Sequence, residues 1–243
     1  MPLIIVASHH KAGSTYAKKC FYEIASVLKC DYHFYGFDEA PEPLTPSNSK
    51  NKILCFSHAR YEHIAATITR LTPEHYRLVH IVRDPRTLIV SATKYHRDAD
   101  EHWLSIQKSD YGNKSYQQYI SSLPSYSDQL IFEMKNGSRG ALEEMGKIHN
   151  SRLATITIKL EDISWDRSGL THQQVSEHLV DDIFTKNTVK SILMKYSLFS
   201  LPTPPRHART MLSADTRAEL KDDSLLLYYR MYGNLHSILG YEA

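Results

Sequence analysis

The chain has 243 residues, of which 42% are hydrophobic, so it can form one large domain or two small ones around a substantial core. Its formal net charge of +2 does not indicate nucleic acid as a partner, and a phosphate site would depend on basic groups placed locally. The apolar runs are too short to span a membrane, and the first one leads into His-His-Lys instead of a cleavage site. We therefore expect a single cytoplasmic domain over residues 1–243, with neither a nucleic-acid nor a membrane partner.

Cysteine and histidine usage argues against two further classes of protein. The three cysteines, Cys20, Cys30 and Cys55, form no C-x-x-C motif, and we expect buried thiols rather than a disulfide framework. The 14 histidines include the adjacent His9 and His10, but no H-E-x-x-H motif or Cys/His cluster accompanies them. The sequence therefore predicts no metal site.

The chain begins with a strand, a short turn and a helix. Leu3–Ala7 is an apolar run, the letters KAGST follow at residues 11–15, and a helix is predicted over residues 16–28. The free N–H groups and the dipole at a helix start attract an anion, and Gly13 permits a close backbone approach. Lys11 precedes Gly13, whereas the loop of ATP- and GTP-binding proteins has its lysine after the last glycine. The segment predicts a phosphate cradle that is not of the Walker type.

The rest of the chain alternates short apolar runs with helical patterns. Strands are predicted at residues 33–37, 53–57, 78–82 and 154–158, and helices at residues 61–71, 87–95, 125–149, 171–184, 187–196 and in two segments after residue 213. Thr171 and Gln174 have the spacing of a capping box. The alternation predicts an α/β fold, a single domain with a central parallel sheet of about five strands flanked by helices. Ligands of such sheets bind beyond the carboxyl ends of the strands.

A second phosphate motif follows the predicted fourth strand. Arg83 ends the strand, Asp84 and a proline turn the chain, and Ser91 comes eight positions after Arg83. A guanidinium at a strand end and a hydroxyl on the next helix can bind one terminal phosphate together. The alternative is an ion pair between Arg83 and Asp84 ahead of a helix that begins with proline. Residues 98–123, polar and rich in Tyr and Ser, are harder to assign and could form a lid or an acceptor wall.

The letters HKAGSTY near the N-terminus and RDPRTLIVSATKYH further on resemble the two nucleotide-binding motifs of the sulfotransferase family. The closing stretch LSADTRAEL…YGNLHSILGYE resembles the C-terminal helices of bacterial members. The resemblance implies the P-loop-like nucleotide-binding sulfotransferase fold. It also implies 3'-phosphoadenosine 5'-phosphosulfate (PAPS) as the donor, adenosine 3',5'-bisphosphate (PAP) as the product, a small-molecule acceptor and no required metal.

The resemblance also implies roles for individual residues. Lys11 would contact the 5'-phosphate and the bridging oxygen and stabilise the leaving phosphate, and Tyr16 stands where many relatives stack a tryptophan on adenine. Arg83 and Ser91 would bind the 3'-phosphate. The remaining loop positions of the implied cofactor site are Ala12, Gly13, Ser14 and Thr15.

Two positions depart from the family pattern. Leu160 stands where the family often has a tyrosine that contacts adenine. The C-terminal Arg-Lys-Gly element of many relatives is missing, and Arg206 or Arg209 could replace it over the 3'-phosphate or be solvated loop residues.

Transfer to a hydroxyl requires a general base, and His58 is the best candidate. It follows the third predicted strand, and the ordinary pKa of histidine suits proton abstraction near neutrality. Asp38 and Glu39 after the second strand are alternative bases, and His96 is an acceptor-side or helix C-terminal residue. Oxygen and nitrogen acceptors both stay open. So do two other functions, a catalytically silent nucleotide-binding module and a P-loop-related small-molecule kinase.

Overall fold

The computed structural model describes residues 1–37, 39, 41–151, 153, 155–201 and 216–242. The contacts divide the chain into two compact units. The first contains Met1–Arg83 and Glu144–Pro204, and the second contains Asp84–Glu143 and Pro205–Ala243. The single domain expected from the sequence stays a prediction.

The secondary structure alternates strands and helices through the first half of the chain. The strands are β1 (Leu3–Ala7), β2 (Asp31–Tyr35), β3 (Lys52–Phe56), β4 (Tyr76–Val82), β5 (Gln107–Lys108), β6 (Lys114–Ser115) and β7 (Thr155–Lys159). The helices are α1 (Ser14–Leu28), α2 (Tyr61–Ile68), α3 (Pro85–Asp98), α4 (His102–Ser105), α5 (Tyr116–Ser121), α6 (Tyr126–Lys135), α7 (Arg139–His149), α8 (Leu160–Trp165), α9 (Leu170–Leu179), α10 (Ile183–Lys195), α11 (Asp222–Tyr232) and α12 (Leu235–Ile238).

The first unit contains a parallel five-stranded sheet with the order β2-β3-β1-β4-β7. Every residue of β1 is fully buried, as its unbroken apolar sequence requires of a central strand covered on both faces. Helix α1 packs on β2 and β3, and α9 packs on β4 and β7. The predicted α/β fold with a central parallel sheet of five strands flanked by helices is confirmed.

The sheet order determines where loops meet. Strand β1 lies between β3 and β4, and all three run in the same direction. The loops after these strands therefore leave the sheet side by side at its carboxyl edge. The chain goes from β1 to β2 at one end of the strand order, and from β3 it crosses past β1 to β4 in the other half. The strand order therefore reverses next to β1, and the carboxyl edge there is the topological switch point.

Strand β2 begins two residues earlier than the pattern at residues 33–37 predicts. It pairs with β3 from Asp31, opposite Lys52, to Tyr35, opposite Phe56. Strand β2 lies at the edge of the sheet, and its side chains are exposed or half-buried. A polar residue is therefore tolerated at its start. Hydropathy therefore places the strand too late.

The helix predicted over residues 125–149 is wrong as one element and is instead two helices, α6 and α7. The break lies at Gly137, where a Cβ would come within 2.6 Å of Glu133 Oε1 and 2.7 Å of the Tyr116 hydroxyl oxygen. Ser138 then donates its N–H to the Glu133 carbonyl at 3.0 Å. The Asn-Gly-Ser letters at this point were the available signal.

The capping box predicted from Thr171 and Gln174 is also wrong. Helix α9 begins at Leu170 with Gly169 as its N-cap, at a φ of +74°. The Asp166 carboxylate takes the N-terminal hydrogen bonds instead, including those from the N–H groups of Gly169 and Thr171. Asp166 lies four residues before the first residue of α9, so the capping-box spacing does not identify it.

The second unit is mainly helical. Residues 98–123 contain α4, the short antiparallel hairpin of β5 and β6, and α5, so the structure assigns elements to the segment that the sequence left open. Its buried core there consists of Leu104, Tyr116 and Ile120. A role as a lid or acceptor wall stays a prediction.

Two observations bear on the composition. Cys20, Cys30 and Cys55 are free thiols, as expected, but Cys30 is partly exposed. Within the described ranges no helix has the length and apolar character needed to cross a bilayer.

Candidate functional site

The loop after β1 has the backbone geometry of a tight cradle. Lys11 and Gly13 both have positive φ, +61° and +88°, and the N–H of Ala12 donates to the His9 carbonyl at 2.9 Å. A Cβ on Gly13 would lie 2.6 Å from Leu160 Cδ1. Glycine is therefore required at position 13 both by the backbone and by the side chain that covers it.

The start of α1 is open to an anion. Gly13 is the N-cap and contributes no side-chain hydrogen bond, and the first turn contains no acidic residue. The positive end of a 15-residue helix is thus left without a carboxylate of its own. Ser14 is half-buried and Thr15 is exposed in this turn, which suits hydroxyls that bind a ligand.

Arg83 connects the end of β4 to this loop. Its Nη1 donates to the Lys11 carbonyl at 3.0 Å, and the residue is only 2% exposed. The two cationic residues that the sequence motifs single out, 72 positions apart, are therefore neighbours in the first unit. Two positive charges at one loop favour an anionic ligand.

Asp84 has a partner on its own helix. Its carboxylate forms a bidentate pair with Arg86, with Nε–Oδ1 and Nη2–Oδ2 distances of 3.1 and 2.9 Å. It also accepts from the Arg86 N–H and caps α3. Ser91 is buried on α3 in the second unit, so its convergence with Arg83 on one phosphate stays a prediction.

His58 lies in the loop after β3, at the same edge. Its ring stacks on His10 with a centroid distance of 5.4 Å and meets the edge of Phe37 at 5.5 Å. Its Nδ1 is 3.0 Å from the Ser57 hydroxyl oxygen, and the side chain is half-buried. The candidate base is therefore held on two sides in the loop next to the cradle.

The alternative bases differ in their surroundings. Glu39 is exposed and accepts the Gly36 N–H at 2.6 Å, within its own turn. Asp38 lies outside the described residues. His96 is fully buried, and its Nδ1 is 2.8 Å from Glu133 Oε2. Its position in the last turn of α3 agrees with the helix C-terminal interpretation.

Two buried histidines, one in the loop after β1 and one in β4, lie in contact below the Lys11 loop. His9 Nε2 is 2.9 Å from His80 Nε2, and both residues are almost completely inaccessible. Burial, with a smaller effect of His58, lowers the pKa of His9 to about 3. Burial and His9 also hold the pKa of His80 well below its ordinary value. Both imidazoles are therefore neutral at pH 7.

Tyr16 is the residue predicted to stack on adenine, and Leu160 stands where the family often has a tyrosine for that contact. The Tyr16 hydroxyl donates to the Leu193 carbonyl of α10 at 3.1 Å, and burial raises the pKa of this phenol. An adenine would therefore have to use the ring face of Tyr16. Leu160 is buried and packs on Gly13, so it serves the loop.

Some predictions cannot be compared with the structure. Arg206 and Arg209 lie outside the described residues. Among the residues that are described, no three His, Cys, Asp or Glu side chains are grouped to hold a metal ion. The expectation that no metal is required stays a prediction.

The central parallel sheet of five strands flanked by helices matches the sulfotransferase fold. The chain is similar to the crystal structure of the mouse sulfotransferase SULT7A1 complexed with PAP, with a TM-score of 0.59 over 98% of this chain and 87% of that one. The sequence identity is 11%, so the likeness shows a shared fold. No protein-family model matches the sequence, and no curated protein is significantly similar to it.

Sequence reasoning missed three neighbours of His58. His10 was considered only as a metal ligand, and Ser57 and Phe37 were not considered as site residues. Ser57 directly precedes the candidate base, and Phe37 comes two residues after the end of β2. A polar residue beside a candidate base was therefore the one signal in the sequence.

Proposed function

We propose that the chain is a sulfotransferase that moves a sulfuryl group from PAPS to a hydroxyl or amine of a small-molecule acceptor. The observation that carries the proposal is the bond from Arg83 Nη1 to the Lys11 carbonyl at 3.0 Å. It joins two basic residues beside an uncapped helix start, and His58 lies in the neighbouring loop. The PAP bound to the structurally similar mouse enzyme makes the same nucleotide the first ligand to test.

The residues present fit such a donor. Gly13 lets the loop turn with a φ of +88° directly against Leu160, where a Cβ would collide with Leu160 Cδ1 at 2.6 Å. The α1 N-terminus and Lys11 suit the 5'-phosphosulfate end, with Ala12, Ser14 and Thr15 completing the loop. We propose Arg83 and Ser91 for the 3'-phosphate, the face of Tyr16 for the adenine, and Arg206 or Arg209 as a closing group.

The bound donor supplies an activated sulfuryl group, and transfer needs no covalent enzyme intermediate. The Lys11 ammonium and the α1 dipole neutralise the charge that grows on the departing phosphate. His58 takes the proton of a hydroxyl acceptor as its oxygen attacks. The loops hold both partners in line, which lowers the entropic part of the barrier. We propose that the enzyme is cytoplasmic and needs no metal.

Calorimetric titration of the chain with PAP, and with ATP and magnesium, tests the nucleotide. We expect PAP to bind and ATP to bind more weakly. Lys11→Ala should weaken PAP binding and lower turnover by about 10²–10³-fold, which is the usual effect of removing a main electrostatic group. Lys19→Ala is the matched control, because Lys19 is exposed on the same helix.

The outcomes separate the three functions. Absence of PAP binding would remove the proposal, and tighter binding of ATP with magnesium would favour the kinase. PAP binding without transfer to any alcohol, phenol or amine in a broad panel would support the silent module.

A further inference from the structure

The hydroxyl of Ser57 stands between the His58 ring and the end of β2. Its oxygen is 3.0 Å from His58 Nδ1 and 3.2 Å from the Tyr35 carbonyl oxygen. The Ser57 N–H donates to the same carbonyl at 3.1 Å, so main chain and side chain are both directed at one acceptor. Ser57 is 7% exposed, which leaves little room for water to compete for these bonds.

Counting hydrogens distinguishes the two neutral forms of His58. A carbonyl oxygen can only accept, so the short contact to Tyr35 is a hydrogen bond only if Ser57 donates to it. The hydroxyl has one hydrogen, and it then has none left for His58. His58 Nδ1 must in that case carry its own hydrogen and donate to Ser57.

The opposite tautomer leaves a contact unsatisfied. If His58 Nδ1 had no hydrogen, Ser57 would donate to it. The Ser57 and Tyr35 oxygens would then face each other at 3.2 Å with no hydrogen between them. The chain of donors from His58 through Ser57 to Tyr35 is therefore the arrangement in which both contacts of the Ser57 hydroxyl are hydrogen bonds.

We propose that Ser57 is a positioning residue that holds His58 in its Nδ1–H tautomer and so places the lone pair on Nε2. This inference rests on the proposed function for its catalytic meaning. The acceptor O–H proton would pass to Nε2, the acceptor oxygen would bond to sulfur, and the sulfur–oxygen bond to the phosphate would break with its electron pair on the phosphate. The resulting imidazolium keeps its Nδ1–H bond to Ser57.

Two ring contacts fix the orientation of the imidazole. His10 lies parallel to His58 with an interplanar angle of 19°, and Phe37 meets it edge-on. Both contacts restrict the plane of the imidazole, whereas the Ser57 hydroxyl oxygen lies 3.0 Å from Nδ1 itself. The tautomer is set by the hydrogen bond that the second nitrogen makes.

Nitrogen NMR of the chain labelled with ¹⁵N-histidine tests the proposal without any turnover. The His58 signals are identified by their loss in His58→Gln, at a pH where the ring is neutral. We expect a protonated Nδ1 and an unprotonated Nε2. Ser57→Ala should move the ring towards the Nε2–H form, Ser57→Thr should restore the original spectrum, and Ser26→Ala, at an exposed position on α1, should change nothing.

Turnover provides the second readout. We expect Ser57→Ala to lower kcat by about 10- to 100-fold at unchanged PAP affinity, since part of a base's contribution is lost. A native spectrum of the Nε2–H form, or one that Ser57→Ala leaves unaltered, would overturn the inference. If Ser57→Ala changes the tautomer of His58 but keeps the full kcat, Ser57 does not contribute to catalysis. If no acceptor is ever sulfated, the proposed function fails, while the spectrum still decides the tautomer.

Discussion

The contact between Gly13 and Leu160 makes a quantitative prediction about the loop. In Gly13→Ala the new Cβ would lie 2.6 Å from Leu160 Cδ1, closer than two carbons can approach, on a backbone with a φ of +88°. Leu160 is 4% exposed and has little room to move away. The substitution therefore combines backbone strain with overpacking.

The expected magnitude follows from these two costs. The left-handed backbone costs an L residue about 1–2 kcal/mol, and an added methyl group in a packed site costs about 1–3 kcal/mol. We expect Gly13→Ala to lower the free energy of unfolding of the first unit by about 2–5 kcal/mol. PAP binding should weaken as well, because the cradle must shift to accept the methyl group.

Urea unfolding can be followed by tryptophan fluorescence, with one reporter in each unit. The chain has two tryptophans, with Trp165 in the first unit and Trp103 in the second. A Trp103→Phe background reports on Gly13→Ala, and a Trp165→Phe background reports on the control Gly112→Ala. Gly112 has a φ of +61° but no atom within 4 Å of its Cβ position, so it isolates the backbone cost.

The comparison of the two alanines decides the matter. The loss of unfolding free energy caused by Gly13→Ala should exceed the loss caused by Gly112→Ala by about 1–3 kcal/mol. This difference is the cost of overpacking alone. Leu160→Ala in the same chain should recover much of that difference by providing space. Equal losses at the two glycines, or no recovery with Leu160→Ala, would refute the packing argument.

His58→Ala should lower kcat by about 10²–10⁴-fold and spare PAP affinity, with His63→Ala as control; full activity would transfer the base role to Asp38 or Glu39. Acid should destabilise the first unit below pH 6.5, because His9 stays neutral to about pH 3 while the unfolded chain takes up the proton. The free energy of unfolding should fall by about 1.4 kcal/mol per pH unit for each such histidine. His9→Gln should reduce this pH dependence, as measured by urea unfolding at several pH values. Glu133→Gln should cost about 1–3 kcal/mol, since His96, Tyr116 and Ser138 all donate to that buried carboxylate. Glu143→Gln should leave the free energy of unfolding almost unchanged, because its pair with Arg139 is exposed.

Much of the sheet could be predicted because its central strands are continuous apolar runs. Strand β1 is fully buried and its bounds agree with the sequence pattern. The carboxyl-edge rule then places Lys11, His58 and Arg83 on loops at one end. These inferences need only the hydropathy of each strand and the direction of the chain.

Other features depend on contacts between residues far apart in sequence. The break between α6 and α7 follows from Tyr116 and Glu133 closing on Gly137, and neither partner is visible in the local helical pattern. The environment of His58 likewise combines His10, Phe37 and Ser57 from three separate loops. Hydropathy places such loops at one edge but does not say which side chains meet there.

The backbone of Lys11 predicts that the loop is strained at this residue. Lys11 has a φ of +61°, an uncommon conformation for a non-glycine residue, and its carbonyl holds Arg83. The ammonium and the carbonyl can be separated by mutation, because Lys11→Ala and Lys11→Gly both remove the charge and keep the carbonyl. Glycine in addition relieves the backbone, so Lys11→Gly should be more stable than Lys11→Ala by about 1 kcal/mol.

Both variants should lose PAP affinity to a similar degree if the ammonium is what binds. Urea unfolding and calorimetry on the same two proteins measure stability and affinity side by side. If Lys11→Gly is no more stable than Lys11→Ala, the loop is not strained at this residue. If either variant binds PAP as the native chain does, the lysine is not the anchor, and the loop would have to hold its anion through Arg83 and the start of α1 alone.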